Sequence, residues 1–166
     1  MSIKTVNPAT NEKLKSFDEM SKDEIETVIN QSDITYQSWR KTTYKQRSEL
    51  LHKVAQILRI RKENLAELIT TEMGKLIGES KAEIELSADI FDYYAENAEK
   101  FLANKILRPK YGEALIRYSP IGVLLGVQPW NFPFYQVARF AAPNIMIGNT
   151  ILLKHASNVP QCGIAL

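Results

Sequence analysis

The sequence predicts an α/β protein in which an N-terminal helical block is followed by a β-hairpin and a first βαβ unit. Between Ser21 and Leu102, apolar residues recur at intervals of three and four, the pattern of amphipathic helices. Beyond Lys105 the pattern changes to the alternation that is typical of strands. Over residues 122–154, an apolar strand, a helix and a second apolar strand follow one another, an order that builds a parallel sheet with a right-handed crossover.

The first predicted elements are two short strands and a helix. Residues 4–6 and 13–17 flank a turn-rich spacer, so we expect a hairpin. Ser21 and Glu24 have the spacing of a capping box and mark the start of the first helix. Its apolar residues recur at helical intervals: Ile25, Val28, Ile29, Tyr36 and Trp39.

Three more helices are predicted before residue 103. The second covers 44–62 and is expected to bury five apolar side chains: Leu50, Leu51, Val54, Ile57 and Leu58. The third covers 64–73 and ends at Gly74, because glycine suits a left-handed C-cap. The fourth covers 80–102 and carries one apolar stripe: Ile84, Ala88, Phe91, Ala95 and Ala98.

Strands and helices then alternate. Residues 105–111 and 113–118 alternate around Gly112, which predicts a hairpin. The remaining predicted elements are a strand over 122–127, a helix over 134–147, a strand over 150–154 and a helix that starts near Val159. Pro143 lies inside the first of these helices, and we expect it to kink the helix or to end its regular part.

Composition argues against nucleic-acid and membrane partners. The net charge of +2 gives no electrostatic footprint for nucleic acid. The basic run 59–62 is interpreted as a solvated helix face, with a nucleic-acid or membrane contact as the alternative. The longest apolar run, 121–127, is far shorter than the ~20 residues of a membrane helix, and the N-terminus has no apolar core of signal-peptide length. The single cysteine fits a reducing cytosol.

Asn131 is the best catalytic candidate. It follows an apolar strand, in a loop of the kind that binds ligands at the edge of an open α/β sheet. Pro129 and Pro133 flank it and restrict the backbone from which its side chain starts. A carboxamide donates hydrogen bonds without being a proton acid, so it suits the stabilisation of an oxyanion. The alternative is a structural asparagine that satisfies a turn.

Several motifs together resemble the aldehyde dehydrogenase superfamily. In chain order they are EMGK at 72–75, YYA at 93–95, GEA at 112–114, PIGV at 120–123, PWNFP at 129–133, GNT at 148–150 and LLK at 152–154. The resemblance runs from Asn7 to Leu166 and is greatest to bacterial NAD(P)-dependent succinate-semialdehyde dehydrogenases. It implies an incomplete aldehyde dehydrogenase fold, with residues 1–166 as the N-terminal portion of a Rossmann-like NAD(P)-binding domain.

The resemblance also implies an activity. A cytoplasmic oxidoreductase that uses NAD or NADP would convert a small aldehyde, succinate semialdehyde in the first place, to its acid through a cysteine thioester. We expect a homo-oligomer that associates through residues 105–118. The nucleophilic cysteine, the general-base glutamate and the catalytic domain are expected outside this chain, which would be inactive alone. The alternative is a truncated, non-catalytic protein that binds nucleotide or associates with other subunits.

By resemblance, Asn131 donates its amide to the developing oxyanion. The coenzyme is assigned to Lys154, which would contact the adenine ribose, to Ser157, and to Val127, Gln128, Pro129 and Trp130. Many family members have a glutamate where this chain has Ser157. Because a carboxylate repels a 2′-phosphate and a hydroxyl donates to it, we expect the site to admit NADP as well as NAD.

A substrate-binding face is expected after Asn131. Phe132, Tyr135, Gln136 and Arg139 recur at helical spacing and so share one side of the helix. Family members that act on succinate semialdehyde have an arginine at the position of Arg139. A guanidinium binds a carboxylate through a bidentate fork, which would hold the remote acid of that substrate. A helix-surface ion pair is the alternative.

Other reactive side chains are interpreted as structural. Cys162 lies in an apolar helix with no base or cationic run beside it, so we expect an inert thiol. His52 and His155, with this one cysteine, do not form a metal cluster, and we expect no metal site. Neither GxGxxG nor GxxxxGK[ST] occurs, so the nucleotide expectation depends on the resemblance.

Overall fold

Twelve elements follow one another along residues 2–166, the part of the chain that the computed structural model describes. The strands are β1 (Ser2–Val6), β2 (Lys13–Asp18), β3 (Lys105–Leu107), β4 (Ala114–Ile116), β5 (Val123–Val127) and β6 (Thr150–Lys154). The helices are α1 (Lys22–Trp39), α2 (Tyr44–Ile60), α3 (Lys62–Met73), α4 (Ile77–Phe101), α5 (Tyr135–Ile147) and α6 (Pro160–Ala165). The predicted α/β class and the order of its elements are confirmed.

The N-terminal elements agree with the prediction. Strands β1 and β2 pair antiparallel, with Ile3 opposite Phe17. Helix α1 begins after a complete capping box, in which the Ser21 hydroxyl accepts from Glu24 N at 3.2 Å and the Glu24 carboxylate accepts from Ser21 N at 2.7 Å. Gly74 ends α3 in the left-handed conformation, with φ of 78°.

The helical block has its core between α2, α3 and α4, and α5 packs against α4. All five residues of the predicted α4 stripe are buried, from Ile84 at 0% exposed to Ala95 at 7%. Helix α4 starts three residues before the predicted position, at Ile77. Helix α4 is long and packs against α2, α3 and α5, so it is the central helix of the molecule.

The predicted burial along α2 is right for two of the five residues. Leu51 and Leu58 are 2% and 5% exposed, but Leu50, Val54 and Ile57 are 44%, 36% and 50% exposed. The core helices contact the side of α2 that carries Leu51 and Leu58, whereas the other three residues border open grooves. Periodicity identified a helix but overestimated how much of its circumference is covered.

The predicted βαβ unit is present. Strands β5 and β6 pair parallel, with Val123 opposite Thr150 and Val127 opposite Lys154. Helix α5 connects them and continues through Pro143 to Ile147. Pro143 therefore does not end the regular part of the helix, and the other predicted outcome, a kink, stays a prediction. The prolyl ring costs one intrahelical hydrogen bond, and close packing of α5 against α4 offsets that loss.

The second hairpin is shorter than predicted. Strands β3 and β4 pair antiparallel over three residues each, with Ile106 opposite Leu115. Both apolar side chains are exposed, at 68% and 55%, and Tyr111 near the tip is 81% exposed. The alternation therefore predicted the pairing correctly but not its extent.

One face of the parallel pair is open. Leu125 is 64% exposed, and a groove of about 510 Å³ separates β5 and β6 from the apolar side of α1. Ile25, Val28 and Ile29 of the predicted α1 stripe line this groove and are 40–45% exposed. Among residues 2–166, none of the helices has the length and the apolar character needed to cross a membrane.

Candidate functional site

The predicted coenzyme residues meet at the carboxyl edge of the parallel pair. Val127 is the partner of Lys154 at the ends of β5 and β6, and Gln128 N donates to the Lys154 carbonyl oxygen at 3.0 Å. The loop after β5, residues 128–134, and the loop after β6, residues 155–159, therefore leave the sheet side by side. Ligands of open α/β sheets bind at this edge.

Asn131 and its neighbours face solvent. Asn131 and Pro129 are exposed, Gln128 is half-buried, and Trp130 is 50% exposed. The indole of Trp130 borders a cavity of about 360 Å³ between the N-terminal hairpin, the end of α3 and the β6–α6 loop; the other lining residues are Lys4, Val6, Pro8, Glu72, Met73 and Asn158. The carboxamide of Asn131 is thus accessible to a ligand.

The end of β6 and the loop after it offer a cation and neutral donors. Lys154 and Ser157 are both exposed, and the five residues 154–158 include no carboxylate. An ammonium and a hydroxyl at the end of a strand are donor groups that suit ribose oxygens or a phosphate. The donor set therefore fits the adenosine side of either dinucleotide.

Three of the four predicted substrate-binding residues, Phe132, Tyr135 and Arg139, form a row of side-chain contacts. The Phe132 and Tyr135 rings lie 5.7 Å apart edge to face, and the Arg139 guanidinium lies 5.3 Å from the centre of the Tyr135 ring. Gln136 N donates to the Phe132 carbonyl oxygen at 3.0 Å. Phe132 precedes α5 rather than lying within it. Arg139 is exposed, with its cation against an aromatic face and accessible to an anion.

Sequence reasoning missed a buried ion pair beside this row. Glu83 of α4 is buried, and its Oε1 accepts from Phe134 N at 2.8 Å and from Tyr135 N at 3.2 Å. Its Oε2 pairs with the ammonium of Lys75, which also lies 3.6 Å from the centre of the Phe132 ring. A carboxylate at a helix N-terminus accepts hydrogen bonds from the free N–H groups there, and the positive end of the helix dipole stabilises its negative charge.

A second buried carboxylate serves α6 in the same way. Glu72, 3% exposed, accepts from Gln161 N and from Cys162 N, both at 2.9 Å. Burial raises the pKa of the Cys162 thiol, and the Glu72 carboxylate beside it adds to the rise. The side chain of Cys162 is buried among apolar residues. These observations support the interpretation of Cys162 as an inert thiol.

The histidines have structural partners. His155 Nδ1 accepts from Ala156 N at 2.9 Å, which leaves Nε2 to donate to the Pro133 carbonyl oxygen at 2.8 Å. His155 thereby joins the two loops of the site. His52 contacts the Asp92 carboxylate on the far side of α4 at 2.6 Å. The described residues contain no group of three or more His, Cys, Asp or Glu side chains that could hold a metal.

Signals for the buried charges were present in the sequence. Glu83 is flanked on the buried side of α4 by Ser80 and Ser87, three and four residues away, so polar residues extend the apolar face at helical spacing. Glu72 follows buried Ile69 by three residues. A charged residue at helical spacing from buried residues is expected to be buried and to have a hydrogen-bonding or ionic partner. The spacing does not identify that partner.

Comparison with known proteins identifies the family of this chain. Residues 1–166 match the aldehyde dehydrogenase family model. The succinate-semialdehyde dehydrogenase [NADP(+)] of Deinococcus radiodurans is 44% identical over 98% of this chain and 34% of its own length. A probable enzyme of the same name from Synechocystis is 45% identical, over 100% of this chain and 37% of its own length.

A solved structure gives the same result. The succinic semialdehyde dehydrogenase of Streptococcus pyogenes, in complex with NADP+ as the cofactor, superposes with a TM-score of 0.95 and 41% identity. The superposition covers 98% of this chain and 36% of that one, so the chain spans about a third of the length of the relatives it matches. The chain belongs to the aldehyde dehydrogenase family.

Proposed function

We propose that this chain supplies the coenzyme-binding and part of the substrate-binding surface of an enzyme that oxidises an aldehyde to its carboxylic acid. NADP or NAD is the proposed coenzyme, and succinate semialdehyde the leading substrate. One observation carries the proposal: the ends of β5 and β6 bring Lys154, the last residue of β6, to the same sheet edge as the two adjacent loops that bear Asn131 and Ser157. Such an edge is where open α/β sheets bind ligands.

The coenzyme would lie across these two loops. Lys154 and Ser157 would hold the adenosine side, and residues 127–130 would border the path toward Asn131. The coenzyme, when bound, supplies the acceptor for the hydride that leaves the aldehyde carbon. The absence of a carboxylate from 154–158 supports acceptance of a 2′-phosphate, since a negative group at close range would repel it.

Asn131 would stabilise the oxygen of the aldehyde as negative charge develops on it. Its carboxamide is exposed, and a neutral donor cannot quench an oxyanion by giving it a proton. One donor of this kind typically lowers a barrier by ~3 kcal/mol. The nucleophile would come from outside residues 1–166, because the thiol of Cys162 is buried and its pKa is raised.

The substrate would lie along the row of Phe132, Tyr135 and Arg139 and would contact Gln136. The two rings give an apolar surface for a short carbon chain, and the exposed guanidinium at the end of the row suits a carboxylate. Succinate semialdehyde carries an aldehyde at one end and a carboxylate at the other. The names of the relatives support the same substrate.

The remaining features of the enzyme are part of the proposal. Residues 1–166 would form the N-terminal portion of the NAD(P)-binding domain, and the catalytic domain would come from other sequence. The exposed hairpin at 105–118 would associate with a second subunit, since several of its apolar side chains are exposed. The proposed location is the cytoplasm.

The test is coenzyme reduction by the enzyme that contains this chain. We expect succinate semialdehyde to drive formation of NADPH or NADH, followed at 340 nm, with a higher kcat/KM than butyraldehyde, which has the same carbon number and no carboxylate. The 166-residue chain is the matched control and should bind coenzyme without turnover. Coenzyme binding with no turnover in either protein would favour the non-catalytic alternative.

A further inference from the structure

We propose that Glu83, through its pair with Lys75, is a positioning residue that holds the loop bearing Asn131 and Phe132. The pair lies under the loop on its buried side, in the helical block rather than at the sheet edge. Its catalytic consequence rests on the function proposed above, whereas its effect on the loop does not. The effect of Glu83 on the loop and its effect on catalysis can therefore be measured separately.

The hydrogen bonds of Glu83 are directed at the end of the loop. Its side chain is 0% exposed, and one oxygen accepts from the consecutive amides of Phe134 and Tyr135 at 2.8 and 3.2 Å. These amides open α5 and have no acceptor within that helix. Because α4 is fixed by its buried stripe, Glu83 anchors the start of α5 to a rigid support.

Lys75 extends the anchor to Phe132. Its side chain is 7% exposed, and its ammonium contacts both the Glu83 carboxylate and the face of the Phe132 ring, 3.6 Å from the centre. A cation at that distance is attracted by the ring, and more strongly when water is excluded. The pair thus contacts residues 132, 134 and 135, immediately beyond Asn131.

Asn131 depends on these contacts for its position. Its own side chain is exposed, so the backbone on each side determines where its carboxamide lies. On the N-terminal side, Gln128 N is bonded to the Lys154 carbonyl oxygen. On the C-terminal side, the anchors are Glu83 and the bond from His155 to Pro133. A shift of about 1 Å in a catalytic donor is enough to cost on the order of a hundredfold in rate.

Glu83→Gln separates this role from simple packing. The side chain keeps its shape and one acceptor oxygen but loses the charge that pairs with Lys75. Glu85→Gln is the matched control, since Glu85 lies on the exposed side of the same helix and pairs with Arg59 at 2.8 Å. Amide hydrogen exchange of the 166-residue chain, resolved by NMR, reports the loop directly.

We expect Glu83→Gln to speed exchange at Phe134 and Tyr135 by about tenfold or more over Glu85→Gln. Exchange at Gln161 and Cys162, which Glu72 caps, should stay within about twofold. Acceleration at both caps alike would mean that the molecule had loosened as a whole, and it would overturn the positioning role. Unchanged exchange at Phe134 and Tyr135 would overturn it as well.

The kinetic test uses the enzyme that contains this chain. Glu83→Gln should lower kcat for the aldehyde by about tenfold or more while KM for the coenzyme changes by less than about twofold, because the coenzyme loop after β6 is held elsewhere. Glu83→Gln leaves the buried Lys75 cation without a charged partner. The double variant Glu83→Gln, Lys75→Met also removes that cation, and it should restore folding but not kcat. Recovery of kcat in this double variant would overturn the proposal. If the unsubstituted enzyme oxidises no aldehyde, the proposed function fails, and the exchange result still decides whether Glu83 positions the loop.

Discussion

Arg47 donates a hydrogen bond from Nη1 to the carbonyl oxygen of Met146, 2.9 Å away, across the interface between α2 and the C-terminus of α5. The guanidinium is buried, and desolvation lowers the pKa of Arg47. Further bonds reach the carbonyl oxygens of Thr42 and Arg40 at 2.8 and 3.1 Å. A cation therefore faces the negative end of α5, and Glu83 faces its positive end.

Replacing Arg47 should strongly destabilise the fold. In Arg47→Met the carbonyl oxygens of Met146, Thr42 and Arg40 lose their donor inside the protein, so we expect a loss of about 3 kcal/mol in the free energy of unfolding. Urea unfolding followed by circular dichroism measures this loss. Arg108→Met, in the exposed segment after β3, is the control and should cost less than about 0.5 kcal/mol. Equal losses in the two variants would contradict the role of Arg47.

Cys162 should give the fold a pH dependence above neutrality. Burial, with the Glu72 carboxylate beside the thiol, raises the pKa of Cys162 above its ordinary value of 9.0. The unfolded chain then loses this proton at lower pH than the folded chain does. The stabilising contribution is complete below about pH 8 and is lost as the pH rises past about 9, by up to about 1.4 kcal/mol per pH unit.

Comparison with Cys162→Ala isolates that contribution from other titrating groups. Urea unfolding of both chains at pH 7, 8.5 and 10 should give a difference in stability that changes in favour of the alanine variant as the pH rises. A difference that stays constant across this range would show that the thiol is not held neutral by the fold.

Ser157 should influence the choice of coenzyme. In the enzyme that contains this chain, Ser157→Glu places a carboxylate where we propose the 2′ position of the adenine ribose. Repulsion and lost donation should shift preference from NADP toward NAD by about 1–3 kcal/mol, measured as the ratio of kcat/KM for the two coenzymes. Ser157→Gln introduces a side chain similar in size to glutamate but without charge, so it separates the effect of repulsion from the effect of size. A ratio unmoved by the glutamate variant would mean that Ser157 lies away from the 2′ position.

Arg139 should distinguish a substrate with a carboxylate from one without. Arg139→Leu in the enzyme removes a charge-assisted hydrogen bond worth about 1.5–3 kcal/mol, which corresponds to a loss of about tenfold to more than a hundredfold in kcat/KM for succinate semialdehyde. Butyraldehyde should lose little. Equal losses on both aldehydes would identify Arg139 as a structural cation and would leave the substrate an unspecified short aldehyde.

Local patterns predicted the elements well because their causes are local. The Ser21 capping box, the Gly74 C-cap and the stripe through Ile84 and Phe91 depend on residues a few positions apart, and each is present. The open side of α2 was not predictable in this way. Whether Val54 is covered depends on elements distant in sequence, and no period within α2 encodes that.

In the candidate site, too, the sequence predicted some features and not others. The juxtaposition of Val127 and Lys154 follows from the parallel pairing of two strands, so the sequence pattern was enough to predict it. The amides that Glu83 caps and the carbonyl oxygens that Arg47 bonds are backbone groups, which every residue carries, so side-chain identity gives no sign of them. The fold had to be known before these contacts could be assigned.

The capping of α5 and α6 from the helical block also constrains the order in which the protein folds. Glu83 and Phe134 are 51 residues apart, and Glu72 and Gln161 are 89 apart. Until α3 and α4 are in place, the first amides of both later helices have only water as a partner, and short helices in water are marginal. Because synthesis proceeds from the N-terminus, the block is complete before residues 134–166 emerge. We therefore expect the earlier part of the chain to act as the template on which the two loops of the candidate site assemble.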